Sequence, residues 1–324
     1  MTDICNCVVG PWVWKRCDVR PMSVTTGYFS GMDRTDGGNS QNPQADGAYD
    51  YVSQKRAQIV LGTVTEVANH VRHELLDGCG FTLLKNIVSV DTDVEDLKRR
   101  YCDFGRKLGK LVPQNADGDL LRAVTYQELS FVDGEPSRAY GHRGRSRMSP
   151  HTDSADFAAL FCIRPARSGG VTSLCSASAI YNEILNRCPE YLEPLSNGFY
   201  FDLTGKTKIG LAVTKNRVPV FSFRGGDLTC VFNRDRIVLG MSRVGLPLEE
   251  IEWAAINYLD ALAQSDEFTY KFALQAGDIL LLNNRRILHG RDEYDDWPEP
   301  NRRRLLLRLW INEEATEGFL RATE

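Results

Sequence analysis

The sequence predicts an α+β fold built on an antiparallel β core, on three observations. Helical periodicity comes early, over 52–77 and 94–108. Strand-like segments dominate from residue 150 onward, with short helices inserted among them. No internal repeat and no clean linker divides the 324 residues. Helices first and strands after, in one undivided chain, favour α+β over an alternating parallel sheet.

Taken in order, residues 1–54 carry little pattern and read as an N-terminal extension packed on the core. Trp12 and Trp14 are its anchors, and the Gly-, Asn- and Asp-rich stretch 35–47 is a loop. Over 52–77, Ile59, Val60, Val64, Val67, Val71 and Leu75 recur near a 3.6-residue period, and Gly78 and Gly80 stop the helix. Gly80 to Leu84 is the first core strand. Asp93 caps a second helix over 94–108, closed by Gly109 and Pro113. A strand follows near 120–126. The segment 133–148 is Gly-punctuated and basic, with Arg138, His142, Arg143, Arg145 and Arg147. It reads either as a wall or lid of a site or as a solvated loop.

Further strands are expected at 157–163, 171–174, 199–203, 218–224, 228–232, 268–274, 278–283 and 305–311. A helix capped by Ser176 or Ser178 ends before Pro189, and an amphipathic helix runs from Pro247 to about Gln264.

Composition narrows the class of function. The hydrophobic fraction is 42% and the charged fraction 25%, which supports a sizeable core. A net charge of -4 offers nothing for nucleic acid or a membrane surface. The longest apolar runs, such as 157–163, are too short to cross a bilayer. The first residues carry no cationic or apolar leader pattern. Nine scattered cysteines suit a reduced, cytoplasmic protein better than a disulfide framework. Oligomeric state is open.

The chemistry gathers at His151-Thr152-Asp153 and at His289. On an extended strand, residues i and i+2 share a face, so His151 and Asp153 point together and Thr152 points away. His289, in Leu288-His289-Gly290, supplies a third donor. Two histidines and a carboxylate with open positions opposite form the site of non-haem Fe(II) oxygenases. Downstream, Arg304, Leu306 and Arg308 share one face of an apolar strand whose other face carries Leu305, Leu307 and Leu309. Guanidinium groups there need carboxylates, from a neighbouring strand or from an acidic cosubstrate. His70 and His73, at i and i+3, lack a companion ligand.

In order and spacing, four pieces resemble the Fe(II)/2-oxoglutarate-dependent oxygenases of the taurine dioxygenase and clavaminate synthase-like group. They are His151 to Asp156, Ser168-Gly169-Gly170-Val171-Thr172, Gly277-Asp278 through His289-Gly290-Arg291, and Arg304 to Arg308. The resemblance implies a double-stranded β-helix (jelly roll) with flanking helices, and residues 55–324 as a single oxygenase domain. It implies Fe(II) on His151, Asp153 and His289, and 2-oxoglutarate held at its distal carboxylate by Arg304 with help from Thr172. Arg308 would touch either the cosubstrate or an acidic group of the substrate. Asp153 stands where halogenating variants lack a carboxylate. The implied reaction consumes dioxygen and 2-oxoglutarate, releases succinate and carbon dioxide, and most often hydroxylates a small molecule. Desaturation, cyclisation or C–X cleavage in natural-product metabolism is a second outcome, and a non-catalytic carboxylate-binding module a third. The basic loop and Arg308 lean toward a substrate with an anionic group.

Overall fold

The computed structural model describes residues 7–16, 23–25, 63–85, 93–126, 131–132, 135–136, 144–204 and 212–313. The expected loop at 35–47, the helix start at 52–62 and most of 133–143 lie outside them. The strands in chain order are β1 (Ser23–Thr25), β2 (Phe81–Lys85), β3 (Lys110–Leu111), β4 (Leu121–Val124), β5 (Phe131–Val132), β6 (Glu135–Pro136), β7 (Met148–His151), β8 (Phe157–Arg164) and β9 (Ser168–Gly169). They continue with β10 (Thr172–Ser176), β11 (Phe221–Arg224), β12 (Asp227–Cys230), β13 (Tyr270–Phe272), β14 (Ile279–Asn283), β15 (Ile287–Arg291), β16 (Tyr294–Asp295) and β17 (Leu305–Asn312). The helices are α1 (Val64–Leu76), α2 (Val94–Leu108), α3 (Ala177–Arg187), α4 (Leu192–Asn197), α5 (Arg234–Arg243) and α6 (Glu250–Gln264).

Two sheets carry the architecture. The larger runs β1-β2-β14-β8-β17-β3, with β4 also on β17; the smaller runs β13-β10-β15-β7. All their pairings are antiparallel except β1 with β2. The alternation of β17 sorts its side chains. Leu307, Leu309 and Ile311 join Val71, Leu75, Tyr101 and Phe104 of α1 and α2 in one core. Leu306 and Trp310 face the other way, into a core shared with Leu174 of β10 and Ile287 of β15. The two sheets therefore hold a common interior, and the site lies on that side. A third core gathers α3, α5 and α6 around Phe199, Phe201, Val220 and Phe232. Trp14 is buried and donates from Nε1 to the Cys79 carbonyl at 2.9 Å, so residues 7–16 pack onto the shared core.

Four local expectations need correction. The helix expected over 52–77 is not continuous: α1 starts at Val64, because Thr63 is extended and forms a capping box with Glu66. The long helix starts at Glu250, not Pro247, with a reciprocal Glu249–Glu252 cap. The expected strand at 199–203 is reduced to isolated bridges, Phe199 to Val218 and Asp202 to Val213. Helices α4 and α5 were not expected. The sequence of α5, with Ile237-Val238 and an internal Gly240, reads poorly as a helix. Gly240 has a packing reason: a Cβ there would lie 2.2 Å from the Tyr200 carbonyl oxygen, so the helix backbone rests directly on that segment. No helix among the described residues is long and apolar enough to cross a membrane.

Candidate active site

His151 ends β7, and His289 sits opposite it in register on β15, their rings 4.5 Å apart between centroids. Asp153 reaches the same place by a different route from the one expected. The strand stops at His151, so His151 and Asp153 are not an i, i+2 pair on one strand. Thr152 is turned aside instead. Its N–H donates to the Phe232 carbonyl at 2.8 Å, and its hydroxyl accepts from the Phe232 N–H at 3.0 Å. The Asp153 N–H then donates to Asn284 Oδ1 at 3.2 Å. These clasps swing the carboxylate between the rings, with Oδ1 3.9 Å from His151 Nε2 and Oδ2 3.7 Å from His289 Nε2.

One donor atom from each residue lies within 4.8 Å of the others, and no other such group of three forms among the described residues. His70 and His73 therefore gain no third ligand. His151 Nδ1 lies 2.9 Å from the Ser149 carbonyl, which assigns the proton to Nδ1 and leaves the Nε2 lone pair facing Asp153. Burial, reinforced by His151, pushes the His289 pKa down to about 3. Burial also lowers that of His151, partly offset by Asp153. Both imidazoles are thus neutral near neutral pH, the form a metal needs. The donor set, two imidazoles and one carboxylate on one side, fits Fe(II) with positions left open opposite.

Behind Asp153 stand two residues of β17. Trp310 Nε1 donates to Oδ2 at 2.9 Å, and Arg308 Nη1 lies 3.3 Å from Oδ2 and 3.4 Å from Oδ1. Arg308 Nε donates to Gln114 Oε1 at 2.8 Å, and Gln114 in turn donates to the Arg308 and Leu120 carbonyls. Arg308 Nη2 is buried with no acceptor among the described residues. Sequence reasoning placed Arg308 beside the cosubstrate or substrate; its observed partner is the carboxylate of the triad. It missed Trp310, although Trp310 lies two residues beyond Arg308 on the face already singled out. Gln114 had no sequence signal.

Arg304 lies just before β17, and its N–H donates to both carboxylate oxygens of Asp296, at 2.8 and 3.0 Å. Its guanidinium is buried, 5.2 Å from the Tyr294 ring centroid, and no carboxylate of the described residues pairs with it. Gly170, with φ +67°, packs near it, 3.7 Å from Arg304 Nε to where a Cβ would stand. Thr172 is buried on β10 in register with Arg291, two pairs along from Leu174 and His289, and so on the same sheet face. A buried guanidinium that pairs with no carboxylate of the described residues suits a carboxylate ligand.

Arg291 is held by main-chain carbonyls. It donates to those of Gly144, Arg145 and Ser146 at 2.9–3.2 Å, which ties the end of the basic segment to β15. Burial, then Arg304, lowers its pKa to about 10. Arg145 stacks on Tyr126 and Arg147 approaches Asp292, so the described part of that segment acts as a braced wall. A cavity of about 180 Å³ adjoins Asp153, lined among others by Asn284, Arg285, Arg217, Arg224 and Thr229.

Comparison with known proteins agrees with this geometry. Residues 48–310 match the family described as taurine catabolism dioxygenase TauD, TfdA family. FR-33289 synthase of Streptomyces rubellomurinus is 28% identical over 318 residues, covering 96% of this chain and 92% of that protein. The taurine hydroxylase-like protein SAT17 of Stachybotrys chartarum is 33% identical over 176 residues, 52% of this chain and 43% of its own. Among solved structures, an asparagine oxygenase in complex with Fe(II), 2S,3S-3-hydroxyasparagine and succinate superposes with a TM-score of 0.59. It is 15% identical, with 77% of this chain and 79% of that chain covered. The non-heme iron oxygenase OrfP in complex with Fe and alpha-ketoglutaric acid gives 0.54 at 15% identity, covering 76% and 80%.

Proposed function

Because the chain belongs to the TauD/TfdA dioxygenase family, we propose that it hydroxylates a small, polar molecule at the site formed by His151, Asp153 and His289. It is an Fe(II)/2-oxoglutarate-dependent dioxygenase. The observation that carries the site assignment is the meeting of three donor atoms within 4.8 Å. When bound, iron and 2-oxoglutarate supply the activation of dioxygen, with 2-oxoglutarate oxidised to succinate and carbon dioxide.

The chain's own residues do the positioning. His151, Asp153 and His289 hold the metal, with Ser149 and Trp310 orienting two of them. Arg304 holds the distal carboxylate of 2-oxoglutarate and Thr172 assists. The close-packed wall of Leu174, Leu306 and Trp310 keeps water from that end of the site.

A small-molecule, natural-product role is supported by the near full-length match to the Streptomyces synthase. Hydroxylation is supported by the hydroxylated amino acid bound to the asparagine oxygenase. That likeness also supports reading the two sheets as the halves of a double-stranded β-helix. We take residues 55–324 as one oxygenase domain and 1–54 as its extension. Free, buried Cys162, Cys175 and Cys230 suit a cytoplasmic setting.

The test is succinate release from 2-oxoglutarate by the purified chain with Fe(II), over a panel of amino acids, amines and small acids. At least one compound should raise succinate above background, with a product one oxygen atom heavier. A product lighter by two hydrogens would replace hydroxylation by desaturation. Binding of 2-oxoglutarate with no turnover over the whole panel would favour a carboxylate-binding module.

A further inference from the structure

We propose that the Tyr294 hydroxyl donates a hydrogen bond to the distal carboxylate of 2-oxoglutarate, beside the Arg304 guanidinium. The proposal rests on the reading of Arg304 as the anchor of that carboxylate. It adds a binding residue that falls between the pieces of sequence carrying the family resemblance, which end at Arg291 and resume at Arg304.

The backbone under Tyr294 is fixed on two sides. Its N–H donates to the Arg145 carbonyl at 3.1 Å, and it pairs in register with Gly169 of β9. The Gly170 N–H donates to the Glu293 carbonyl at 2.9 Å. At Gly169, with φ +73°, a Cβ would lie 2.5 Å from the Glu293 carbonyl oxygen, so glycine is what lets β9 and β16 close this tightly. The Tyr294 side chain is 5% exposed. The Arg291 guanidinium carbon stands 4.5 Å from its ring centroid and that of Arg304 5.2 Å, both within the range of a cation–π contact. Arg291 is itself pinned by the carbonyls of Gly144, Arg145 and Ser146. The ring therefore has one place to rest, against the residue read as the carboxylate anchor.

This packing leaves one donor unspent. The Tyr294 hydroxyl is buried with no hydrogen-bond partner among the described residues. Arg291 and Arg304 carry only N–H donors, so neither can take its proton. The Asp296 carboxylate is engaged by the N–H groups of Arg304 and Trp297. Burial raises the Tyr294 pKa above the ordinary phenol value, with Arg304 and Arg291 offsetting part of the rise, so the group keeps its proton at neutral pH. A buried O–H without an acceptor is unfavourable until a ligand supplies one. A carboxylate seated on Arg304 does so. Its two oxygens offer about four acceptor sites, more than one guanidinium fork uses, and a bond from a neutral phenol to an ionised oxygen is of the stronger, charge-assisted kind. A cosubstrate ending in a methyl group offers the phenol nothing.

The experiment titrates the Mn(II)-loaded chain with 2-oxoglutarate and with 2-oxopentanoate, which replaces the distal carboxylate by a methyl group, and reads both by calorimetry. The wild type should prefer 2-oxoglutarate. Tyr294→Phe keeps the ring and its contacts with both arginines. It should weaken 2-oxoglutarate about 10- to 100-fold, the scale of a hydrogen bond to a charged group. It should leave 2-oxopentanoate within about twofold. Without ligand, Tyr294→Phe should resist urea at least as well as the wild type, because it removes a buried hydroxyl that has no partner there. A wild type that does not prefer 2-oxoglutarate would overturn the reading of Arg304 itself. If the preference is present, the inference falls if Tyr294→Phe binds 2-oxoglutarate as the wild type does, or if it weakens both ligands equally. A marked loss of stability, or a variant that fails to fold, would mean that the hydroxyl already has a partner in the ligand-free protein, and the inference falls on that result too.

Discussion

Trp310 Nε1 donates a hydrogen bond to Asp153 Oδ2 at 2.9 Å, so the one carboxylate of the triad is aimed by a residue that binds no metal itself. Trp310→Phe keeps the buried ring and removes that donor. The metal should bind about 10- to 100-fold more weakly, as for other partners of metal ligands. Competition against a chelator measures this. Unchanged affinity would mean the carboxylate is held well enough by Arg308 alone.

Asp153 has two tasks, and its removal should show both. Asp153→Ala and His151→Gln should each abolish metal binding and succinate formation. They should differ in stability, because loss of Asp153 leaves the buried Arg308 without its carboxylate, at about 3–5 kcal/mol. His151→Gln leaves no charge unpaired and should cost less than half of that. Urea denaturation of the metal-free proteins compares them, and equal losses would count against the Arg308–Asp153 pair.

Arg304→Ala should raise the 2-oxoglutarate requirement by an amount equivalent to about 2–5 kcal/mol, the cost of removing one partner of a buried charged pair. Metal affinity should change little. The readout is the 2-oxoglutarate dependence of binding to the Mn(II)-loaded protein, and an unaltered requirement would transfer the role to another cation.

Acid should destabilise the metal-free protein through His289. Its folded-state pKa of about 3 lies below the unfolded value near 6.5. Between these the unfolded chain binds the proton and the folded one does not. Stability is therefore complete above about pH 6.5 and is lost as pH falls toward about 3, by up to about 1.4 kcal/mol per unit. His151 acts in the same direction. The gap in urea midpoint between wild type and His289→Gln should narrow as pH drops from about 7.5 to 5. Parallel curves would show that His289 is not held neutral.

How much of this was legible follows from the kind of signal each part leaves. The face alternation of residues 304–310 was plain because the run after Arg304 is apolar on both sides of Arg308, and α2 was plain because Asp93 and Gly109 bracket it. The route of Asp153 was not. Whether a strand continues past His151 depends on Phe232, some 80 residues away, whose carbonyl captures the Thr152 N–H that a strand partner would otherwise have taken. Helix α5 was hidden for a similar reason. Its glycine is explained by the Tyr200 backbone, and such close approach leaves no periodic trace.

The strand β17 also sets a constraint on how this protein can vary. Arg308 and Trp310 sit on the same face as Leu306, while Leu307, Leu309 and Ile311 face the helices. A deletion or insertion of one residue in the turn at 298–303 that shifted β17 by one place would exchange those faces. Metal support would then turn toward α1 and α2 while leucines entered the site. Natural or engineered changes in substrate range are therefore expected away from the connection that leads into β17.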